Sequence, residues 1–204
     1  MVQSAETPWD AAAIAAVRAE HIQAMRAILS LDEALQAVFA ALQSSGQLAK
    51  TIIVIKTDNA HSYGEMRQTD KGTPHRGASS MLLKVRVPGV SGGARSHAVS
   101  DIDIAPMVCH VAGAVMPAAP DGMSFLRACQ DATAPHRRAA PMTSPVKDSP
   151  TFEAVWRKDG RVLYRGLPGG KADGQSGGWS DFDMTTNVPA TSDELRELQT
   201  LKVA

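Results

Sequence analysis

The 204-residue sequence predicts an α/β fold: a partial parallel-type sheet flanked by helices, then a small carboxyl-terminal antiparallel sheet plus helix. Three observations carry that reading. Ile52-Ile53-Val54-Ile55 is an uninterrupted aliphatic run, the pattern of a strand covered on both faces inside a parallel sheet. Ahead of it, residues 7 to about 45 keep apolar side chains at helical spacing. Near the other end, Phe152 to Trp156 and Arg161 to Tyr164 flank Lys158-Asp159-Gly160, a hairpin signature.

The first element has Thr7 as its expected N-cap, Pro8 at the first helical position and Asp10 in the first turn. Ile14, Val17, Met25, Ile28, Leu35, Val38 and Leu42 form its apolar stripe, expected to face a core, and Gly46 is a left-handed stop. Its length predicts a bend near Ser30. After the aliphatic strand and a loop over 57–80, Met81, Leu83, Val85 and Val87 alternate with Leu82, Lys84 and Arg86, a second strand. Asp103 is placed to cap a short helix from Ile104 to Ala112 that ends at Gly113. Pro135, Pro141, Pro145, Pro150 and the basic His136-Arg137-Arg138 mark a surface linker. A Gly-rich loop follows from Gly166 to Gly178, then a strand at Trp179–Met184. Last comes a helix through Leu195, Leu198 and Leu201, capped by Ser192 or Asp193. The expected division is thus 1–126 as a partial α/β core, 127–150 as linker and 151–204 as a small α+β subdomain.

Composition narrows the partners. Formal net charge is zero, which gives no electrostatic case for nucleic acid or a membrane surface. No run approaches the roughly 18 apolar residues of a membrane span. Met1-Val-Gln-Ser-Ala-Glu6 lacks the basic start and apolar centre of a secretory signal, so the chain as it stands reads as cytoplasmic, with the compartment of any longer form open. Cys109 and Cys129 have no metal or redox spacing and read as packing thiols.

The chemistry concentrates after the aliphatic strand. In open α/β sheets, ligands sit beyond the carboxyl ends of such strands. Asp58 and Asn59 occupy that position and offer oxygen ligands to a hard divalent cation. Twelve residues on, Lys71-Gly72-Thr73-Pro74 sets a cation in a turn-rich loop, suited to an oxyanion. The same residues also read as a turn after a strand and a solvated lysine. His61 and His75 lie nearby, but neither has a carboxylate partner in sequence.

In order and interval, several passages resemble the carboxyl-terminal half of a sulfatase, in the alkaline-phosphatase-like superfamily. They are Leu31 through Gly46, Thr51 through Glu65, Lys71-Gly-Thr-Pro74, Arg86-Val-Pro-Gly89 and Val99 through Pro106. Ala154-Val-Trp-Arg157, Trp179 through Asp183 and Glu194 through Leu198 complete the series. The resemblance implies that Asp58 and Asn59 are ligands of the family's calcium ion (magnesium or manganese in some relatives). It also implies that Lys71 contacts the sulfate group of a sulfate ester. Departures are equally specific. The family's nucleophile, a Cys or Ser followed by Pro or Ala two residues on and Arg four residues on, has no counterpart at Cys109, Cys129 or any Ser. Ala60 stands where Gly is usual and Met66 where His is common; His75-Arg76, Ser80 and Leu82 also depart.

A calcium ion takes six to eight oxygens, whereas Asp58 and Asn59 supply a fraction of that, so weak metal binding is expected. The chain is therefore expected to be a truncated carboxyl-terminal part of a sulfatase-like protein, with no catalytic residue of its own and no turnover alone. Two alternatives stay open. One is a non-catalytic anion- or metal-binding module, and the other is an assembly protein that associates through an exposed apolar surface.

Overall fold

The computed structural model describes residues 9–65, 69–74, 76–137, 139–144, 152–157, 161–166 and 180–183. The chain divides into two compact units, one holding 2–71 with 76–89 and the other holding 72–75 with the residues from 90 onward.

The first unit opens with helix α1 (Ala11–Ser44). Its N-cap is Asp10, whose carboxylate accepts from the Ala13 amide at 2.7 Å, the bond that satisfies an orphan donor of a first turn. Asp10 thus performs the role expected of Thr7, which with Pro8 lies outside the described residues. The stop is as expected: Gly46 has φ +68°, and its amide returns to the Gln43 carbonyl. The helix runs through Ser30 as one continuous element.

The apolar stripe behaves differently from expectation. No residue of α1 is buried. Val17, Leu35 and Leu42 are half-covered, whereas Ile14, Met25, Ile28 and Val38 are 50–53% exposed. Advancing 100° per residue, the stripe together with Ile22, Leu29 and Leu31 spreads over more than half the circumference. The rest of the described chain covers only a narrow strip of it. A core-facing helix was predicted from spacing, and spacing reports which face is apolar, not what lies against it.

Strand β1 (Ile53–Lys56) pairs antiparallel with β4 (Leu83–Arg86) in a two-stranded sheet, with Val54 opposite Val85 and Ile55 opposite Lys84. Both predicted strands exist. The pairing seen is antiparallel, and Ile53, Val54 and Ile55 are half-buried, because one neighbouring strand cannot cover both faces and both edges. Arg86 fixes the ribbon to the turn before it, donating to the Leu48 carbonyl at 2.6 Å and the Thr51 carbonyl at 3.1 Å. Between these strands lie a short hairpin, β2 (Ser62–Tyr63) and β3 (Thr69–Asp70), and helix α2 (Arg76–Ser79).

In the second unit, α3 (Ile104–Ala112) ends at Gly113 with φ +67°, as predicted. Asp103 does not cap α3 through its side chain. It is fully buried, and its carboxylate accepts from the amides of Ser100 at 2.9 Å and Met123 at 2.8 Å and from the Arg137 guanidinium. Residues assigned to a linker over 127–150 include most of helix α4 (Leu126–Gln130) and strand β5 (Ala139–Ser144). Proline density misled there: Pro141 sits within β5, the outermost of four strands, where a missing amide is tolerated. Strands β6 (Phe152–Arg157), β7 (Arg161–Gly166) and β8 (Ser180–Asp183) complete an antiparallel sheet in the order β5-β6-β7-β8. Its interior is lined by Ala140, Phe152, Ala154, Val155 and Val162. The hairpin turn 158–160, most of the Gly-rich loop and the last helix fall outside the described residues.

Candidate functional site

Asp58, Asn59, His61 and Lys71 belong to the first unit. β1 ends at Lys56, so Asp58 and Asn59 follow it directly, as expected of a strand tip. The Asp58 carboxylate accepts from the Asn59 amide at 2.9 Å, which folds the chain over and aims it toward α2. There the Ala60 amide donates to the Ala78 carbonyl at 3.1 Å. Asp58 is exposed and Asn59 half-buried.

The hairpin that follows shortens the sequence interval to Lys71. Ser62 pairs with Asp70 and Tyr63 with Thr69. The ladder ends at the Ser62–Asp70 pair, and His61 and Lys71 are the residues that flank it. The lysine therefore leaves β3 at the end of the hairpin where the chain arrives from Asn59. Asp70 has φ +68° and Gly72 has φ +88°, so Lys71 sits between two left-handed residues at a sharp corner. Asp is among the few non-glycine residues that enter this region readily. The lysine side chain is exposed, and among the described residues it makes no ion pair with Asp58 or any other acid. Asp58 and Asn59 make no hydrogen bond or ion pair with it either.

The sequence offers His61 no carboxylate partner, whereas the fold brings two to its ring. Its Nε2 lies 3.1 Å from Glu20 Oε1 on α1, and its Nδ1 lies 3.8 Å from Asp70 Oδ1. The closer approach is a contact and not an aligned hydrogen bond, since Nε2 has no hydrogen-bond partner. Tyr63 lies tilted against His61 with ring centroids 4.5 Å apart, and stacks against His21 of α1 at 4.7 Å. The sequence signal that could have found this pairing is the two-residue strand Ser62–Tyr63 opposite Thr69–Asp70, too short to read by alternation. His75 lies outside the described residues.

As a metal centre the set is incomplete. Among the described residues no group of three or more His, Cys, Asp or Glu side chains is gathered about one point. A hard cation asks for six to eight oxygens, and Asp58 with Asn59 do not fit that requirement by themselves. Nor is there an activated thiol: Cys109 and Cys129 are free. Burial pushes the Cys129 thiol up from its ordinary value, against a smaller opposing pull from Arg95. A thiol held protonated is a poor nucleophile. No helix among the described residues is long and apolar enough to cross a membrane.

No family model matches the sequence. Individual proteins do. Over 169 residues the chain is 25% identical to N-acetylglucosamine-6-sulfatase of Capra hircus, covering 81% of this chain and 27% of that protein. Over 83 residues it is 37% identical to arylsulfatase K of Danio rerio, covering 40% of this chain and 16% of that protein. Among solved structures, one in complex with its substrate D-glucosamine-2-N,6-O-disulfate superposes with a TM-score of 0.73 at 24% identity. That match covers 86% of this chain and 38% of the other. A phosphonate monoester hydrolase from Silicibacter pomeroyi gives 0.63 at 22% identity, covering 84% and 37%. The chain therefore spans well under half the length of the proteins it matches. In sequence and backbone it is similar to sulfatases along a part of their fold.

Proposed function

We propose that this chain forms the carboxyl-terminal part of a sulfatase-like sulfate-ester site, the part that contacts the oxyanion. Lys71 contacts the sulfate group. Asp58 and Asn59 contribute oxygens to a divalent cation, calcium or else magnesium or manganese, that this set alone holds weakly. What supports the reading is the hairpin β2–β3, whose Ser62–Asp70 pair brings the chain arriving from Asn59 and the chain leaving toward Lys71 to the same end of a ladder. A protonated amine at that corner supplies a charge-assisted contact of roughly 1.5–3 kcal/mol to an anionic oxygen. A sulfated sugar is the substrate class proposed, since two matched proteins are named for that chemistry.

By itself the chain does not turn over sulfate esters. Sulfur attack needs an activated nucleophile, and the sequence carries no Cys or Ser with the required Pro or Ala and Arg spacing. Calorimetric titration of sodium sulfate, with and without calcium chloride, into the wild-type chain and Lys71→Ala tests the reading. Sulfate affinity drops about tenfold or more in the variant. Equal affinity in both, or hydrolysis of an aryl sulfate by the purified chain, overturns it.

A second reading, assembly through an apolar face, is favoured by α1 alone. Ile14, Ile22, Met25, Ile28 and Leu29 lie on its uncovered side. Apolar surface of that extent marks an association site.

A further inference from the structure

We propose that His61 is a positioning residue for Lys71, packing the corner that carries the lysine against helix α1 by its close contacts with Glu20, Asp70 and the ring of Tyr63. The proposal rests on reading Lys71 as the oxyanion contact. Its geometric basis is separate. The two nitrogens of an imidazole point in different directions, and here each meets a carboxylate, at 3.1 Å and 3.8 Å. Two acids on opposite sides of one ring do not converge on a common point, so the arrangement is a bridge and not an ion-binding cage. The bridge joins three segments: α1 at Glu20, the approach to β2 at His61 and the end of β3 at Asp70. Tyr63 reinforces it, in ring contact with both His61 and His21, while its amide donates to Glu65 Oε2 at 2.6 Å.

The bridge acts where the backbone most needs holding. Asp70 is the described non-glycine residue with positive φ, a conformation that persists when surrounding contacts over-determine it. Lys71 is the next residue, and its amine hangs from an exposed corner with no ion pair among the described residues. Releasing Asp70 therefore frees the lysine's own Cα, whereas releasing a surface acid elsewhere would not. Displacing a binding group by about 1 Å costs up to a hundredfold in a site that depends on its placement.

The test uses the full chain and four variants: His61→Ala, His61→Arg, Asp70→Asn and Glu20→Gln. Asp70→Asn removes the charge but keeps a residue that tolerates the left-handed corner. Two readouts are taken, sulfate affinity by calorimetry and hydrogen exchange of the Lys71 and Gly72 amides by NMR. His61→Ala and Asp70→Asn should weaken sulfate about tenfold and speed exchange at those amides, with thermal midpoints near wild type. His61→Arg, whose guanidinium can reach both carboxylates, should restore both. Unchanged exchange in His61→Ala, or an arginine variant no better than alanine, overturns the positioning role. If wild type binds no sulfate, the Lys71 reading fails, and the exchange comparison still decides whether His61 holds the corner.

Discussion

Arg137 donates into the carboxylate of Asp103, a side chain with no exposure at all. The same carboxylate takes the amides of Ser100 and Met123, so one acid gathers three stretches of the second unit. A buried charge that loses its hydrogen-bonded cationic partner is left uncompensated, which costs about 3–5 kcal/mol. Arg137→Ala should therefore lower the urea midpoint of this unit steeply, and Asp103→Ala should do so comparably. Replacing both together should cost less than the sum of the two, as measured in a double-mutant cycle.

His136 precedes that arginine, and burial holds its imidazole below the ordinary value of 6.5. Asp103 pulls the other way, while Arg137 and His97 push in the same direction as burial. His97 packs edge-on to it, with ring centroids 5.8 Å apart. A depressed folded value means the folded state prefers the neutral ring. Stability is then fully present above 6.5 and falls as pH drops below it toward the lowered value. Urea unfolding followed between about pH 7.5 and 5 should show that loss in wild type and a flatter profile in His136→Gln.

Gly122 lies against the 3-10 turn Asp101–Asp103 before α3: a Cβ there would stand 1.9 Å from the Ile102 carbonyl oxygen and 2.9 Å from the Asp103 amide nitrogen. Both are backbone atoms, so neither can swing aside. Gly122→Ala should destabilise the unit by about 1–3 kcal/mol or more and loosen the Met123 amide from Asp103. Thermal denaturation measures the first, and amide exchange at Met123 the second.

On α1, Leu29 is 65% exposed and Ile28 53% exposed. Changing either to Glu should alter folding stability by only about 0.5 kcal/mol, as for surface sites generally. If that face drives association, the same changes should shift the light-scattering mass of the purified chain toward that of a single copy. A wild-type chain already of single-copy mass would remove the reason for the experiment.

Elements with strong local chemistry were legible without coordinates. Gly46 and Gly113 stop helices because only a residue free of Cβ strain turns left-handed cheaply, and that preference is local. The β-branched run at Ile53–Ile55 and the alternation at Leu83–Val85 likewise marked strands correctly. Strand direction was not legible, since the side-chain pattern of a short aliphatic run does not encode which way its neighbour points. Arg137 was hidden for a similar reason: in sequence it belongs to a basic run that looks solvated, and its partner stands 34 residues away. The candidate site was half visible. Asp58, Asn59 and Lys71 stand out by residue type and interval, whereas the bridge through His61 depends on Glu20, forty-one positions earlier on another element.

The β1–β4 ribbon has a consequence for how this molecule exchanges with its solvent. In an isolated antiparallel pair, alternate peptide groups point inward to the partner and the rest point out to water. Deuterium uptake along Ile53–Lys56 and Leu83–Arg86 should thus read as a comb, slow and fast amides in strict succession. Filling in of the fast teeth would report the arrival of another strand alongside.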